Sequence, residues 1–202
     1  MKKKRVFLLV AILAVFGFSY ADGYKIGDKA NDFRLMNVDG KMISMSDYPD
    51  AKGFILMFSC NHCPYSVAYE DRKIALDKKF APMGYPVIVI NPNDSTIVPA
   101  DSFSNMRIRA EQKQFPYPYL LDADQTVFQE YGATRTPHVF LLNREDGDLI
   151  VRYIGAIDNN HEDADAATER YVESAIQNLM EGNQPDPATT RAIGCTIKIK
   201  KS

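Results

Sequence analysis

The sequence predicts an α/β domain in which a central mixed sheet is covered by helices on both faces, with a hairpin added at its N-terminal end. Three continuous apolar segments of strand length indicate the sheet: residues 53–58, 85–90 and 138–142. They do not alternate polar with apolar side chains, which is typical of strands buried on both faces. Segments with helical patterns separate them, so we expect parallel pairing through helical crossovers first.

The N-terminal half of the domain starts with the hairpin. Residues 33–37 and 41–44 are predicted to pair, because an Asp-Gly turn signal lies between them. The strand at 53–58 is followed by a helix over 65–80. Pro64 suits the first turn of that helix, where its missing N–H group costs nothing.

The C-terminal half continues the alternation of helices and strands. A polar helix is predicted over 103–114, and Leu120–Asp122 leads to a short helix over 125–131. An antiparallel strand over 149–154 follows the strand at 138–142, because a turn rich in Asp and Gly separates them. A last helix is predicted over 166–180, and an antiparallel pair therefore closes the sheet.

The first residues are predicted to lie outside this domain. A basic start, Met1–Arg5, precedes an apolar run of about 13 residues, Val6–Phe18, and small residues lead up to Ala21. This pattern is typical of a secretory signal peptide cleaved after Ala21. A retained membrane anchor is the alternative, although the run is shorter than the roughly 20 residues that span a bilayer. The predicted organisation is a signal peptide over 1–21, one domain over 22–182 and a C-terminal tail over 183–202.

Charge narrows the class of partner. The chain has 24 Lys and Arg against 26 Asp and Glu, and losing the four basic residues of the signal peptide leaves 20 against 26, a net charge of −6. Such a surface does not favour nucleic acid or anionic lipid. We therefore expect no nucleic-acid partner and no stable membrane insertion after cleavage. The predicted signal peptide places the mature protein in the periplasm or outside the cell.

Cysteine usage indicates chemistry rather than structural cross-linking. The chain has three cysteines, Cys60, Cys63 and Cys195, whereas a disulfide-stapled secreted domain has more of them, spread along the chain. Cys195 is open to three interpretations: a free thiol, a redox partner for Cys60, or a structural residue in an added strand. Residues 183–194 are expected to be mobile unless Cys195 anchors them.

The Cys60–Cys63 pair follows a buried strand and precedes a helix, a position that favours a reactive thiolate. Free N–H groups and the helix dipole at a helix N-terminus stabilise negative charge. Only the thiolate attacks a disulfide, so Cys60 is predicted to be the exposed nucleophile and Cys63 the sheltered resolving thiol. His62, when protonated, would further favour the Cys60 thiolate. The alternative for His62 is an exposed loop residue, and this chemistry needs neither a cofactor nor a metal.

These features resemble the thioredoxin superfamily, and more closely its redoxin branch, which includes exported thioredoxin-like proteins and peroxiredoxin-related AhpC/TSA-type domains. The resemblance covers roughly residues 25–182 and depends on the sequence at 58–64, on Thr136-Pro137 and on the order of elements. It implies a three-layer thioredoxin-like fold. It also implies that Pro137 is cis and faces the dithiol, and that the Thr136 backbone binds a client peptide.

The sequence departs from this family in two ways. Many thioredoxins carry an acidic residue on the strand before the motif, but residues 54–58 are wholly apolar, so no proton acceptor for Cys63 can be named. Peroxiredoxins have Pro seven residues and Thr or Ser three residues before the reactive cysteine. Neither Cys60 nor Cys63 has these residues at those positions, although Arg135 could stabilise an anion.

The predicted function is that of a thiol–disulfide oxidoreductase acting on exported proteins, with a place in cell redox homeostasis. Its partners would be disulfide-bearing or dithiol clients and an unidentified redox partner. Two alternatives remain: a thiol peroxidase of the peroxiredoxin type, and a copper-binding assembly factor of the same fold. Thiolate and imidazole ligands suit copper, and His138 and His161 are then candidates besides His62.

Overall fold

The protein is described by a computed structural model over residues 23–200, so the predicted signal peptide lies outside the described residues. The strands are β1 (Leu35–Asn37), β2 (Met42–Ile43), β3 (Gly53–Phe58), β4 (Val87–Asn91), β5 (Tyr119–Leu121), β6 (Arg135–Thr136), β7 (His138–Glu145), β8 (Asp148–Gly155) and β9 (Cys195–Thr196). The α-helices are α1 (Pro64–Ala68), α2 (Glu70–Phe80), α3 (Phe103–Lys113), α4 (Val127–Tyr131) and α5 (Tyr171–Met180).

Seven of these strands form one mixed sheet in the order β2-β1-β5-β4-β3-β7-β8. β3 and β5 both pair in parallel with β4, and β7 and β8 continue the sheet in antiparallel pairing. The predicted α/β class with a mixed sheet and an N-terminal hairpin is confirmed. Strand β5 is not among the predicted strands, because the sequence at 120–122 predicts only a segment that leads into a short helix. A strand of three residues is too short to give a periodic signal.

The core is divided by the sheet into two layers. Side chains of β3 alternate between them: Phe54, Leu56 and Phe58 lie in one cluster, and Ile55 and Met57 in the other. All five are fully buried, and full burial of such a side chain contributes about 1.5–3 kcal/mol. The central strand therefore has no solvent-facing side, which explains its unbroken apolar sequence.

Two helices differ from the sequence prediction. The predicted helix over 65–80 is interrupted at Tyr69 (φ −92°, ψ 3°), whose hydroxyl donates to Asp158 Oδ1 at 2.8 Å. The predicted helix over 166–180 begins only at Tyr171. Residues ahead of it bend back onto Asn159, whose side-chain oxygen accepts the N–H groups of Thr168 and Glu169. In both places a long-range hydrogen bond overrides local helix propensity.

The C-terminal segment is docked rather than loose. Thr190 N–H donates to the Ile154 carbonyl oxygen at 3.0 Å, and its hydroxyl accepts the Ala156 N–H. Further along, β9 pairs antiparallel with β6. Mobility was expected from the composition of residues 183–194, but these backbone contacts attach the segment beside β8. Within residues 23–200, no helix is both long and apolar enough to cross a bilayer.

Candidate active site

The dithiol lies where β3 ends and α1 begins. Cys63 is the N-cap residue of α1, and Pro64 occupies the first turn as the sequence predicts. Cys63 is 0% exposed and Cys60 only 3% exposed, so the expected exposure of Cys60 is wrong. The Thr136 hydroxyl lies 3.3 Å from Cys60 Sγ, and the Ser66 hydroxyl lies 3.9 Å from it. These neighbours, together with His62, enclose the sulfur.

A buried carboxylate organises the loop between the two cysteines. Asp101 accepts the backbone N–H groups of Asn61 and His62 on one oxygen and the Asn93 amide on the other. Its Oδ2 atom also lies 2.5 Å from His62 Nδ1, which in turn lies 3.5 Å from Cys60 Sγ. The His62 ring therefore bridges the carboxylate and the sulfur instead of lying free in solvent.

The two thiols ionise as a pair. A hydrogen bond from the Cys60 thiol, with further donors at Ser66 and Cys195, lowers the pKa of Cys63 to about 4. The same bond, burial and the Asp101 charge raise the pKa of Cys60. The pair thus loses its first proton readily and its second with difficulty.

A buried lysine lies behind the motif and was not predicted. Lys73 donates to the Ser59 hydroxyl at 2.9 Å and to the Ser66 carbonyl oxygen at 3.2 Å. Burial lowers the pKa of Lys73 to about 8, while the charges of Glu70 and Cys60 oppose that shift. An ammonium in this position adds positive charge behind the motif, and nearby positive charge favours a thiolate. Its helix has a polar sequence, so nothing local distinguishes Lys73 from the exposed lysines beside it.

The opposite side of the dithiol is formed by β6 and the C-terminal segment. The Thr136–Pro137 peptide is cis, as the resemblance implies. The Thr136 carbonyl oxygen lies 3.1 Å from Cys63 Sγ, and the Cys195 N–H donates to the same sulfur at 3.3 Å. The structure therefore brings Cys60, Cys63 and Cys195 together, although Cys195 lies 132 positions after Cys63.

The residues proposed for copper binding are dispersed. His138 is buried against Phe140, accepts the Thr134 N–H on Nδ1, and has its pKa lowered by burial to about 4. His161 stacks on Tyr65 in a separate loop. Among the described residues, the ligand atoms that cluster with a cysteine are those of Cys60, His62 and Asp101, within 4.8 Å of one another. Hydrogen bonds between these groups account for that spacing.

Comparison with known proteins places this architecture in a family. A family model described as AhpC/TSA matches residues 26–154, which include the dithiol and the Thr136-Pro137 segment. The chain belongs to the AhpC/TSA family. Thiol-disulfide oxidoreductase ResA of Bacillus anthracis is 27% identical to it over 169 residues, covering 77% of this chain and 91% of the relative.

Solved structures share this fold. An uncharacterised conserved protein from Geobacillus kaustophilus is 32% identical with a TM-score of 0.81, covering 88% of this chain and 94% of that one. The pneumococcal exposed lipoprotein thioredoxin Etrx1 from Streptococcus pneumoniae is 20% identical with a TM-score of 0.55, covering 75% and 99%, and shows the fold alone. This AhpC/TSA-family member has a thioredoxin-like fold. Its relatives support an oxidoreductase role, with thiol–disulfide exchange as the general activity.

Proposed function

We propose that this AhpC/TSA-family protein is an exported oxidoreductase that exchanges disulfides with client proteins through Cys60 and Cys63. The observation that carries the proposal is the position of the dithiol: Cys63 caps the N-terminus of α1, and Cys60 Sγ lies 3.5 Å from the His62 ring nitrogen and 3.3 Å from the Thr136 hydroxyl. Export follows from the predicted signal peptide over 1–21, with cleavage after Ala21. The client and the redox partner are proteins that carry a disulfide or a dithiol.

The proposed reaction proceeds in two exchanges. Cys60 attacks a client disulfide while its proton passes to the Cys63 thiolate, so a Cys60–client bond forms and one client thiolate leaves. Cys63 then gives up that proton and attacks Cys60, which releases the second client thiolate and leaves the Cys60–Cys63 disulfide. The client gains two electrons and the dithiol loses two. The reverse sequence oxidises a client dithiol.

Five further residues support this chemistry by position. His62 and Lys73 place cationic or proton-donating groups on one side of the sulfurs, and Thr136 lines the other side. Pro137 follows Thr136 directly, so the backbone before it is the proposed edge for an extended client strand. Pro64 starts α1 and thereby fixes the position of Cys63 as its N-cap.

The roles of the two cysteines are tested by single substitutions with insulin as the disulfide substrate. Cys60→Ser should abolish insulin reduction, because the nucleophile is lost. Cys63→Ser should form a covalent Cys60–insulin adduct on non-reducing gels, because nothing resolves it. The Cys63→Ser adduct is measured with and without Cys195→Ser, so that rescue by the third cysteine is visible. Full activity of Cys60→Ser, or no adduct in either Cys63→Ser protein, would contradict these roles.

The direction of electron flow is tested by the reduction potential of the Cys60–Cys63 pair. Equilibration with glutathione buffers gives this value directly. A potential near about −270 mV is typical of a reductase such as thioredoxin, and one near about −120 mV is typical of an oxidase. The low pKa of Cys63 stabilises the reduced form, and we therefore expect a potential above that of thioredoxin.

A further inference from the structure

The C-terminal segment occupies the edge at which a client strand is proposed to bind. β9 pairs antiparallel with β6, with Cys195 opposite Thr136 and Thr196 opposite Arg135. The Arg135 guanidinium also donates to the Thr196 hydroxyl at 3.1 Å. The chain therefore places its own extended strand, with a cysteine in it, against the backbone before the cis proline.

A glycine makes this close approach possible. A Cβ atom on Gly194 would lie 2.2 Å from the Thr136 carbonyl oxygen and 2.6 Å from its carbonyl carbon, which are backbone atoms that cannot move aside. A residue with a side chain at 194 would therefore displace the strand or the segment it pairs with. The fit of β9 to β6 is thus encoded at the position immediately before Cys195.

Residues after Cys195 anchor the strand on its other side. Ile197 is 5% exposed and belongs to the hydrophobic core. The Lys198 N–H donates to Asn93 Oδ1 at 2.8 Å, and its carbonyl oxygen accepts the Asp94 N–H at 2.9 Å. Anchors before and after Cys195 limit its movement, so its position beside the dithiol is a defined one.

Cys195 contacts one sulfur of the dithiol in particular. Its N–H donates to Cys63 Sγ at 3.3 Å. Burial and the hydrogen bond to Cys63 raise the pKa of Cys195 to about 11. The backbone of Cys195 is placed directly against the sulfur of Cys63.

We propose that Cys195 is a third redox thiol, which forms a disulfide with Cys63 by exchange with the Cys60–Cys63 disulfide. The deprotonated Cys195 sulfur attacks Cys63, the Cys63–Cys195 bond forms, and the Cys60–Cys63 bond breaks with Cys60 leaving as a thiolate. The proton given up by Cys195 is taken by Cys60, so the number of thiols and disulfides is unchanged. This inference rests on the proposed function, because the exchange with a client supplies the first disulfide.

The test isolates the proposed pair in a Cys60→Ser protein. Purified Cys60→Ser is equilibrated in glutathione buffers, and its disulfides are mapped by mass spectrometry of non-reduced peptides. We expect one intramolecular bond, Cys63–Cys195. Adding Gly194→Ala should lower the equilibrium constant for this bond by about tenfold, because β9 is displaced. Gln184→Ala, at an exposed position of the same C-terminal segment, is the control, and it should leave the constant unchanged.

Three outcomes overturn the inference. Cys63 and Cys195 could remain free or take up glutathione separately in Cys60→Ser. A Cys63→Ser protein could form a Cys60–Cys195 bond as readily, which would remove the preference for Cys63. Gly194→Ala could leave the constant unchanged, which would show that the docked strand does not matter. Insulin reduction by the unsubstituted protein is scored separately, so failure of the proposed function and failure of this inference are distinguishable.

Discussion

The two sides of the dithiol are constructed differently. One side, the motif side, comprises residues 59–66 and the groups packed behind them, Lys73 and Asp101. The other side, the tail side, comprises residues 134–138 and 194–196. The motif side contacts the sulfurs with the His62 ring nitrogen and the Ser66 hydroxyl and has a buried cation nearby, whereas the tail side contributes the Thr136 hydroxyl and the backbone of Thr136 and Cys195. This difference indicates that the motif side sets ionisation of the thiols and the tail side sets access to them.

The tail side should show the largest pH dependence of stability, through His138. Burial lowers the pKa of His138 to about 4, below the ordinary value of 6.5 that applies after unfolding. Between these values the unfolded state binds more protons, so the free energy of unfolding falls as the pH drops from 6.5 to 4, by about 3 kcal/mol. Urea unfolding at a series of pH values measures this loss. Between pH 6.5 and pH 4, the free energy of unfolding of His138→Asn should fall by about 3 kcal/mol less than that of the unsubstituted protein.

The substituted asparagine can still accept the Thr134 N–H, which limits other effects of the change. His161→Asn is the control, because it removes a histidine from a separate loop and leaves His138 in place. Buried carboxyl groups also titrate in this range, but they are present in every protein compared. If the unfolding free energies of His138→Asn and the unsubstituted protein run parallel from pH 7 to pH 4, His138 is not the titrating group.

The motif side should depend most strongly on Asp101. Its carboxylate accepts two backbone N–H groups of the loop and the Asn93 amide. Asp101→Asn replaces one accepting oxygen by a donor, and we expect the free energy of unfolding to fall by about 2 kcal/mol. Loss of the charge should also lower the pKa of Cys60, because Asp101 raises it. Urea unfolding and pH-dependent alkylation measure the two effects.

The matched control is Asp165→Asn, which makes the same change in an exposed loop. It should alter neither the unfolding free energy nor the alkylation profile. An Asp101→Asn protein as stable as this control would show that the loop does not need the carboxylate.

Much of the motif side could be predicted from sequence because its signals are local. The apolar run of β3, the two-residue spacing of the cysteines and Pro64 at the start of α1 all lie within twelve residues of chain. The exceptions are Asp101 and Lys73. Each reaches the site from another element, Asp101 from the 3-10 turn at Pro99–Asp101 and Lys73 from the middle of α2. No local pattern distinguishes a buried charge from an exposed one.

The tail side could be predicted only in part. Thr136-Pro137 is a short signal that the family resemblance makes specific, and the cis peptide agrees with it. The docking of β9 could not be predicted, because strand pairing between residues about sixty positions apart leaves no periodicity in either segment. Gly194 was informative only once its contact with Thr136 was known. Cys195 was therefore left with three interpretations by the sequence.

A substitution of Lys73 tests whether the motif side controls the ionisation of the two thiols. Lys73→Met removes a buried cation while keeping a side chain of similar length. The pH at which the dithiol first ionises should rise by about one unit, because a nearby ammonium stabilises the thiolate. The pH dependence of iodoacetamide alkylation measures this shift. Lys78→Met, on the exposed face of the same helix, should give the unsubstituted profile. An unchanged profile in Lys73→Met would assign the low pKa of the pair to hydrogen bonds alone.

The smallest expected effect concerns access, and it tests the tail side directly. Gly194→Ala should displace β9 from β6, because a Cβ at this position would lie 2.2 Å from the Thr136 carbonyl oxygen. If the proposed client strand needs the same edge, the protein with β9 docked is not competent to bind, and partial displacement raises the competent fraction. We expect kcat/KM for insulin reduction to rise about threefold, which is less than 1 kcal/mol. The rise should appear in KM, because displacement of β9 frees the edge at which the client strand is proposed to bind.

Two measurements separate this effect from general loosening of the protein. The alkylation profile of Gly194→Ala should move to slightly higher pH through loss of the Cys195 N–H that donates to Cys63 Sγ, and no further, because Lys73 and Asp101 are unchanged. Gln184→Ala, at an exposed position of the same C-terminal segment, should leave kcat/KM unaltered. A Gly194→Ala protein that folds but reduces insulin no faster, or more slowly, would mean that β9 forms part of the client site. The tail side would then bind the client together with the dithiol, and access would be controlled elsewhere.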